Sequence, residues 1–418
     1  MKTDVAIVGA GPGGTSTALF LAQRGIESVI VERESFPRYQ IGESLTGECG
    51  LCLKNLGLEP LMSKRAHPIK HGVRVYGPGG KNSFYVPVMA RTEDGELRHA
   101  TTWQVRRSDF DNMVLDAAKE RGVKVIRGKA IDALRDAAGG VSGVRVRAAD
   151  GEELDIESKV LVDASGRSTF LSNIKVAGKK TRGDYDRQIA VFSQVRGAVR
   201  GDGEKRDDTL IFIGGEKNHW AWFIPLDDQV VSVGVTVPAE YFSSMQESKQ
   251  DFLLRELHEL NPELKRRLPE MELAESVRTI TNYSYRVSDF TGRGFLCVGD
   301  AHRFIDPIFS FGVYFSIKEA QFAAQAIESH LGGAGNGDET PFADYELRCD
   351  KGQDVIQDLI DGFWNHPYAF ALFVHSRYVD DFVDLFAGRV YGDEMSPGYL
   401  ALKKVNQRGA DKAFRALG

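Results

Sequence analysis

The chain opens with a short apolar run that gives way to glycines and then to a helical pattern. Residues 5–8 are all apolar, and from about Gly13 to Arg24 apolar positions recur with the period of a helix. A second apolar run then ends at Glu32. This succession predicts a strand, a helix and a second strand, the unit from which parallel sheets are built.

The same change of period recurs later in the chain. Apolar runs at 160–162 and 295–298 predict two more buried strands, and an apolar periodicity from about Gly312 predicts a long helix. A polar, glycine-rich stretch at 332–341 predicts a linker. The helical patterns in 342–418 carry a dense aromatic face, which fits either a core or a lid over a substrate. The sequence therefore predicts an α/β fold with a C-terminal helical region.

Two of the four tryptophans lie two positions apart in one predicted strand. Trp220, Trp222 and Ile224 alternate onto one face. Pro225 ends the strand because proline has no N–H to donate to a sheet. An aromatic wall that fills a core would explain this pattern by packing alone, so its meaning depends on the neighbouring motifs.

Composition excludes several classes of function. The 418 residues are 42% hydrophobic and 27% charged, which is typical of a globular protein with room for two or three domains. A net charge of −6 without a basic tract argues against nucleic-acid binding. Cys49 and Cys52 have no second CxxC pair with which to bind zinc, so we expect no metal. No apolar run approaches the ~18 residues of a membrane span, and we expect a reduced, cytoplasmic protein.

The glycines after the first predicted strand satisfy the pattern GxGxxG through Gly9, Gly11 and Gly14. The first permits a tight turn, the second lets the backbone approach a pyrophosphate, and the third lets helix and strand pack closely. The N-terminus of the helix adds a positive dipole end. Glu32 stands where a carboxylate accepts hydrogen bonds from ribose hydroxyls. We predict dinucleotide binding, with further contacts from Pro12, Gly13 and Arg33.

Three later segments resemble cofactor-binding segments of FAD enzymes. Asp300, after the strand at 295–298, matches the aspartate that holds the ribityl chain. Arg107 matches an arginine that contacts the cofactor, although a solvated charge at a helix start is the alternative. Asp163 lies in a strand that resembles the one under the adenosine half of FAD. In this order the motifs resemble p-hydroxybenzoate-hydroxylase-type flavoproteins, whose fold is like that of glutathione reductase.

Further motifs resemble those of flavin-dependent halogenases. Residues 220–225 match W-x-W-x-I-P at every fixed position. A second signature, F-x-x-P-x-x-S-x-G, is matched by Phe304, Pro307, Ser310 and Gly312. Lys70, followed two residues later by Gly72, matches the lysine of carrier-dependent and phenol-type members, with Lys64 at a polar helix end as its competitor. The flavin-contacting strap of the family resembles Gly42, Glu43 and Ser44.

The resemblance implies a role for each motif. Members use reduced FAD, O2 and chloride or bromide to form hypohalous acid, which a lysine delivers to an electron-rich aromatic ring. Lys70 would act either as an ammonium that hydrogen-bonds the oxidant or as an amine that forms a haloamine. Backbone N–H groups at Ser310, Phe311 and Gly312 would bind the halide. The two tryptophans would separate flavin from substrate.

Departures from the motifs bear on substrate and partners. Phe309 stands where tryptophan halogenases carry a glutamate, which favours a phenol or pyrrole, free or on a carrier protein, in natural-product biosynthesis. No second GxGxxG is visible, so a separate flavin reductase is expected. The basic tail at 401–418 is either a contact for an acidic carrier protein or a solvated helix face.

The motif positions divide the chain and leave alternatives open. A discontinuous FAD-binding domain is predicted at 1–60, 101–175 and 280–330, with a mixed β-sheet substrate module at 61–100 and 176–279. A flavin aromatic hydroxylase shares the FAD motifs but needs its substrate beside the flavin and an NAD(P)H site. A geranylgeranyl-reductase-like enzyme gives the lysine no role. A non-catalytic FAD-binding module is the third alternative.

Overall fold

The computed structural model describes residues 1–183, 187–281, 284–333 and 340–417, with side chains up to residue 408. The strands are β1 (Lys2–Val8), β2 (Ser28–Glu32), β3 (Ile69–Lys70), β4 (Gly72–Tyr76), β5 (Ser83–Pro87), β6 (Met89–Arg91), β7 (Leu97–His99), β8 (Thr102–Trp103), β9 (Lys124–Arg135), β10 (Val141–Ala148), β11 (Glu153–Asp163), β12 (Lys180–Arg182), β13 (Gln188–Arg196), β14 (Thr209–Ile213), β15 (Trp220–Pro225), β16 (Val231–Pro238), β17 (Glu272–Leu273), β18 (Arg278–Thr281), β19 (Tyr285–Val287), β20 (Thr291–Gly292), β21 (Phe295–Cys297) and β22 (Arg303–Phe304). The helices are α1 (Pro12–Ala22), α2 (Gly47–Asn55), α3 (Glu59–Lys64), α4 (Arg107–Glu120), α5 (Phe170–Asn173), α6 (Ala239–Ser244), α7 (Lys249–Glu259), α8 (Pro262–Arg267), α9 (Gly312–Leu331), α10 (Ala343–Asn365), α11 (Pro367–Leu372), α12 (Val379–Ala387) and α13 (Pro397–Leu417).

The first sheet has seven strands in the order β1-β2-β9-β10-β11-β21-β20. β1 pairs in parallel with β2 and with β11, and β11 pairs in parallel with β21. The predicted strand–helix–strand unit is confirmed, because α1 begins at Pro12 and β2 ends at Glu32. α1 packs closely on the turn before it, since a Cβ at Gly14 would lie 1.9 Å from the carbonyl oxygen of Gly9.

The second sheet has eight strands, seven of them in the order β17-β13-β16-β15-β14-β4-β5, with β18 paired to β13. Its pairs are antiparallel except for β14 with β4, so this is a mixed sheet. The alternation predicted for β15 is confirmed. Ala221 and Phe223 pack into the core under α7 and α8, while Trp220 and Trp222 face the opposite side.

Among the C-terminal helices, α10 packs on α9, α11 and α13, and α12 packs on α13. An aromatic cluster joins Phe363, Phe370, Phe382 and Phe386 to Phe309 of the preceding segment. The α/β fold with a C-terminal helical region is therefore confirmed. The predicted linker at 332–341 falls mostly outside the described residues. None of the helices in the described ranges combines the length and apolar character that crossing a membrane requires.

The two large sheets draw on different segments of the chain. Strands of the first come from 2–32, 124–163 and 291–297, and those of the second from 72–87 and 188–281. The strand that carries the candidate lysine, β3, belongs to neither sheet and pairs with β8. The exact domain boundaries drawn from the motifs remain a prediction.

Candidate active site

A long cleft lined by both large sheets has a volume of about 1180 Å³. The glycine turn after β1 and the indoles of β15 contribute to its wall. Most residues predicted to hold the cofactor line this nucleotide cleft: Gly9, Gly11, Pro12, Gly13, Glu32, Arg33, Gly42, Glu43, Ser44, Arg107, Asp300, Pro307 and Gly312. The fold thus gathers on one surface residues that are far apart in the sequence.

The glycine turn leaves its backbone open to the cleft. Gly9 has φ +103°, and a Cβ there would lie 2.5 Å from the carbonyl oxygen of Ala164, so only glycine fits. Glu32 is fixed by two backbone N–H groups, with its Oε2 accepting from Ala10 at 2.7 Å and its Oε1 from Glu34 at 2.7 Å. Each carboxylate oxygen keeps a second lone pair for a ribose hydroxyl.

Arg107 holds the strap against the cleft. It is only 5% exposed and forms a bidentate pair with Asp111, through Nε to Oδ1 at 2.7 Å and Nη2 to Oδ2 at 2.9 Å. Its Nη1 donates to the carbonyl oxygen of Ile41 at 2.6 Å. A solvated charge at a helix start is therefore wrong for this arginine. At Gly42, φ is +103° and a Cβ would lie 3.0 Å from Arg107 Nη1, which explains the glycine.

Buried polar atoms of cleft-lining residues have no protein partner among the described residues. They are Tyr39 Oη, Glu43 Oε2 and Trp220 Nε1. The other oxygen of Glu43 accepts from Gln194 at 3.1 Å, and burial raises the pKa of this carboxyl to about 7. Burial likewise raises the pKa of Asp300 to about 7. Such groups are costly unless a ligand with its own donors and acceptors satisfies them, so the cleft fits a polar ring system.

Two predicted cofactor residues lie behind the cleft wall instead of lining it. Asp163 is buried, and its carboxylate accepts from the backbone N–H groups of Ser165 at 2.9 Å and Leu171 at 2.8 Å. It thereby fixes the turn whose residues 164–168 do line the cleft. Gly14 is likewise buried and serves the close packing of α1.

The two tryptophans form a continuous indole surface along the cleft. Their ring centroids lie 5.8 Å apart, and Trp222 Nε1 donates to Ser232 Oγ at 3.2 Å. Gly234 on the neighbouring strand makes room for this ring, because a Cβ there would lie 2.3 Å from Trp222 Cζ2. The indole of Trp222 is therefore held in one orientation, and Trp220 packs against it.

A second, mostly apolar cavity lies beside the cleft and contains Lys70. We call it the lysine pocket; among the residues that line it are Lys70, Val73, Val75, Phe84, Val86, Thr209, Ile308, Phe309, Phe363 and Phe386. Lys70 is 3% exposed, and its Nζ donates to Ser44 Oγ and to the carbonyl oxygen of Leu45, each at 2.9 Å. Burial lowers the pKa of its amine to about 8. Lys64, the competing lysine, is exposed at the end of α3.

The two cavities meet at Ile211 and Ser310, which line both. Trp220 and Trp222 line only the cleft. Ser310 has φ +61° and leads into α9. Its N–H donates to the carbonyl oxygen of Pro307 at 2.9 Å, whereas the first helical bond runs from Phe315 to Phe311. The N–H groups at the start of α9 therefore lack helical partners, and the side chain of Phe311 is buried beneath them.

Comparison with known proteins decides the family. The chain matches the family described as FAD binding domain over residues 2–357. It is 38% identical over 367 residues to the 1H-pyrrole-2-carbonyl-(peptidyl-carrier protein) brominase of Pseudoalteromonas luteoviolacea, covering 88% of this chain and 87% of that protein. The chain belongs to the flavin-dependent halogenases. The solved structure of the flavin-dependent brominase Bmp2 agrees with a TM-score of 0.90 and 34% identity, over 98% of this halogenase and 100% of that chain.

A second carrier-protein enzyme is also similar to this halogenase. The 1H-pyrrole-2-carbonyl-(peptidyl-carrier protein) chlorinase of Pseudomonas fluorescens is 28% identical over 410 residues, which cover 93% of this chain and 89% of that protein. The predicted family and FAD as cofactor are therefore confirmed. The hydroxylase, the reductase-like enzyme and the non-catalytic module are not favoured.

Sequence analysis missed several cationic residues of the halogenase that line the cleft. Arg38 Nη2 would lie 3.6 Å from a Cβ placed on Gly11, where a pyrophosphate would approach. The guanidinium carbon of Arg38 lies 4.7 Å from the centroid of the Phe36 ring. Arg167 and Arg278 also line the cleft. Arg167 belongs to the segment 160–168 that carries Asp163, but it was not singled out as a site residue. Arg38 and Arg278 lie outside the motifs, and a single arginine carries no periodic signal that would mark it.

Proposed function

We propose that this halogenase forms hypohalous acid from chloride or bromide and that Lys70 directs it onto an electron-rich aromatic ring in the lysine pocket. The observation that supports this proposal is the meeting of two cavities at Ile211 and Ser310. We infer that a small oxidant passes at this junction, while an aromatic substrate on the far side stays away from the cleft. Formation and use of the oxidant are thereby separated in space.

The bound cofactor supplies the redox chemistry: reduced FAD and O2 oxidise a halide to hypohalous acid and release water. The chain's own groups hold the halide. A left-handed residue followed by a right-handed one, here Ser310 and Phe311, aims successive N–H groups into one concavity. The N–H of Ser310 is already donated to Pro307, so the donors left for the halide are those of Phe311 and Gly312. The N-terminus of α9 adds a positive dipole end at Gly312. Both features favour an anion at the junction of the two cavities.

Lys70 can direct the oxidant in either protonation state. As an ammonium it has three N–H groups, of which two are donated to Ser44 and Leu45, leaving one for the oxidant. As an amine it has two N–H groups for the same partners, leaving its lone pair for the halogen. The halogen of the hypohalous acid then replaces a ring hydrogen: the O–X bond breaks, the C–X bond forms, and the ring proton leaves with the hydroxyl group as water. With the pKa of Lys70 lowered to about 8, both forms are populated near neutral pH.

We further propose that the substrate is a pyrrole bound to a carrier protein. Two relatives act on pyrrole-2-carbonyl groups on a peptidyl-carrier protein. The lysine pocket is walled by valines and phenylalanines, with Phe309 packed on Phe363 and Phe386 at centroid distances of 5.5 and 5.1 Å. Walls of this composition suit an uncharged aromatic ring, for which the cavity of about 40 Å³ would widen as the ring enters.

The substrate proposal is tested with purified enzyme, reduced FAD and bromide or chloride. Substrates would be pyrrolyl-carrier protein, free pyrrole-2-carboxylate and a panel of phenols, and the products are analysed by mass spectrometry. We expect halogenated pyrrole on the carrier protein and little reaction of the free acid. Turnover of free phenols alone would assign a different substrate class to the pocket.

We also propose that a separate flavin reductase supplies the reduced cofactor in the cytoplasm. The sequence contains one GxGxxG unit, which the cofactor cleft uses. All four cysteines are free and buried, which fits a reducing compartment.

Purified enzyme with FAD alone should therefore consume neither NADH nor NADPH at a catalytic rate, and halogenation should begin when a flavin reductase is added. Absorbance at 340 nm measures the nicotinamide. Rapid oxidation of either nicotinamide that the aromatic substrate stimulates would instead indicate a hydroxylase.

Gly312→Val should impair halide use without unfolding the enzyme. A Cβ at Gly312 meets no atom within 4 Å and its φ is not left-handed, so the fold tolerates the side chain. The new methyl groups would project beside the N–H groups proposed to hold the anion. We expect the KM for halide to rise by about tenfold or more, which corresponds to about 1.4 kcal/mol of binding. Halogenation at several halide concentrations measures this, and an unchanged KM with normal FAD binding would move the anion site elsewhere.

A further inference from the structure

The segment that carries Lys70 is held by a carboxylate that no sequence motif marks. Asp208, the residue before β14, is 2% exposed. Its Oδ1 accepts hydrogen bonds from the backbone N–H groups of His71 and Gly72, both at 2.7 Å. Its Oδ2 accepts from the hydroxyl of Tyr85 at 2.8 Å. Three donors, two from the backbone at residues 71–72 and one from Tyr85 of β5, thus converge on the carboxylate of Asp208.

Gly72 is part of the same arrangement. A Cβ at this position would lie 2.4 Å from Tyr85 Oη and 2.6 Å from the carbonyl oxygen of Val86. Contacts this close do not occur between real atoms, so any larger residue would displace Tyr85 from Asp208. The glycine two residues after the lysine therefore has a physical reason in this chain.

Asp208 also bears on the charge of the amine. Lys70 lies in an apolar pocket, where an ammonium without a counter-charge is costly. Two titratable groups act on it from the elements packed around it, Asp208 before β14 and the Cys49 thiol of α2. Both raise its pKa, against burial, which lowers it. The remaining partners, Ser44 and Leu45, are neutral.

We propose that Asp208 is a positioning residue of the halogenation reaction: held by Tyr85, it fixes the backbone after Lys70 and, without a direct ion pair among the described contacts, favours the charged form of the nearby amine. This proposal rests on the role proposed for Lys70. It assigns to Asp208 no contact with substrate or oxidant.

Asp208→Asn tests the proposal because it removes the charge and nearly keeps the shape. The amide oxygen can still accept from His71 and Gly72, and the NH2 group can donate to Tyr85. Loss of the negative charge should lower the pKa of Lys70 by about one or more, a tenfold or larger loss of proton affinity. The NMR titration of 13Cε-labelled lysine measures this directly, with Lys70→Met assigning the signal. FAD binding should be unchanged.

The pH profile of halogenation gives the second readout. The limb that reports Lys70 should move to lower pH in Asp208→Asn, because the amine loses its proton more easily. If the ammonium is the working form this is the alkaline limb, and if the amine works it is the acidic limb. Asp207→Asn is the matched control. Asp207 is the preceding residue in the chain and its carboxylate pairs with Arg200, so neither the pKa of Lys70 nor the pH profile of halogenation should shift.

The outcomes are distinct. A Lys70 titration that Asp208→Asn leaves unchanged, or a loss of activity that is uniform across pH, would overturn the proposal. Should the parental enzyme fail to halogenate anything, the proposed function fails, while the NMR titration still decides the coupling between Asp208 and Lys70. If Asp208→Asn does not fold, Tyr85→Phe decides the question. This variant removes the hydrogen bond from Tyr85 to Asp208 and should shift the Lys70 resonance. A Lys70 resonance at its parental position would overturn the proposal.

Discussion

Lys70→Ala should reduce halogenation by about 10² or more, the loss typical of a positioned proton donor or electrostatic group. FAD binding should persist, because Lys70 lines the lysine pocket and not the nucleotide cleft. Oxidation of reduced flavin by O2 should also continue. Hypohalous acid would then leave the enzyme, and a monochlorodimedone trap should detect it. The measurement compares product formed with trap halogenated for each variant.

Two further variants control this experiment. Lys70→Met keeps the length of the side chain and avoids an empty cavity, so it separates loss of the amine from loss of packing. Lys64→Ala removes an exposed charge from α3 and should behave as the parental enzyme. If Lys70→Ala and Lys70→Met both halogenate at the parental rate, the amine takes no part in the reaction.

Gly14→Ala should destabilise the fold, whereas Gly11→Ala should weaken FAD binding. The methyl group at Gly14 would lie 1.9 Å from the carbonyl oxygen of Gly9, which the turn cannot move away. We expect the free energy of unfolding to fall by about 3 kcal/mol. At Gly11 the new Cβ would be 3.6 Å from the nearest atom, so the fold should be unaffected. That methyl group would instead stand where the backbone meets the pyrophosphate, raising the Kd for FAD by about tenfold or more.

Urea unfolding of the cofactor-free proteins and titration with FAD separate the two effects. Gly25→Ala serves as a control for glycine replacement, because a Cβ there meets nothing within 4 Å, although its φ of +70° brings some strain. Equal stability losses for Gly11→Ala and Gly14→Ala would show that both glycines serve packing alone.

The sequence could predict the elements whose signal is local. The glycine turn and the alternating indoles are short patterns with a fixed period, and the structure places the βαβ unit and β15 where these patterns lie. Lys70 could be singled out only through its resemblance to a family. The pattern of apolar and polar residues around Lys70 does not indicate that its amine is buried, while that of Lys64 is exposed.

The rest depends on contacts between distant residues. Asp208 meets His71 across 137 positions and Tyr85 across 123, and no single-sequence pattern records such a pair. The junction at Ile211 and Ser310 likewise exists only once both sheets and α9 are in place. For the aromatic face of the C-terminal helices, core and lid stood as alternatives. Phe370 is buried in the aromatic cluster, while Phe363 and Phe386 also wall the pocket, so the face does both.

The helices after residue 342 add walls to the lysine pocket, yet in the described part of the chain none of their residues lines the nucleotide cleft. Changes in α10 and α12 can therefore reshape what is halogenated without altering how the oxidant is made. In an engineering experiment α10 and α12 could therefore be replaced together as one unit. Replacing them, including Phe363 and Phe386, with the corresponding helices of a relative that has another aromatic substrate should transfer that substrate range, while the flavin chemistry stays that of the recipient.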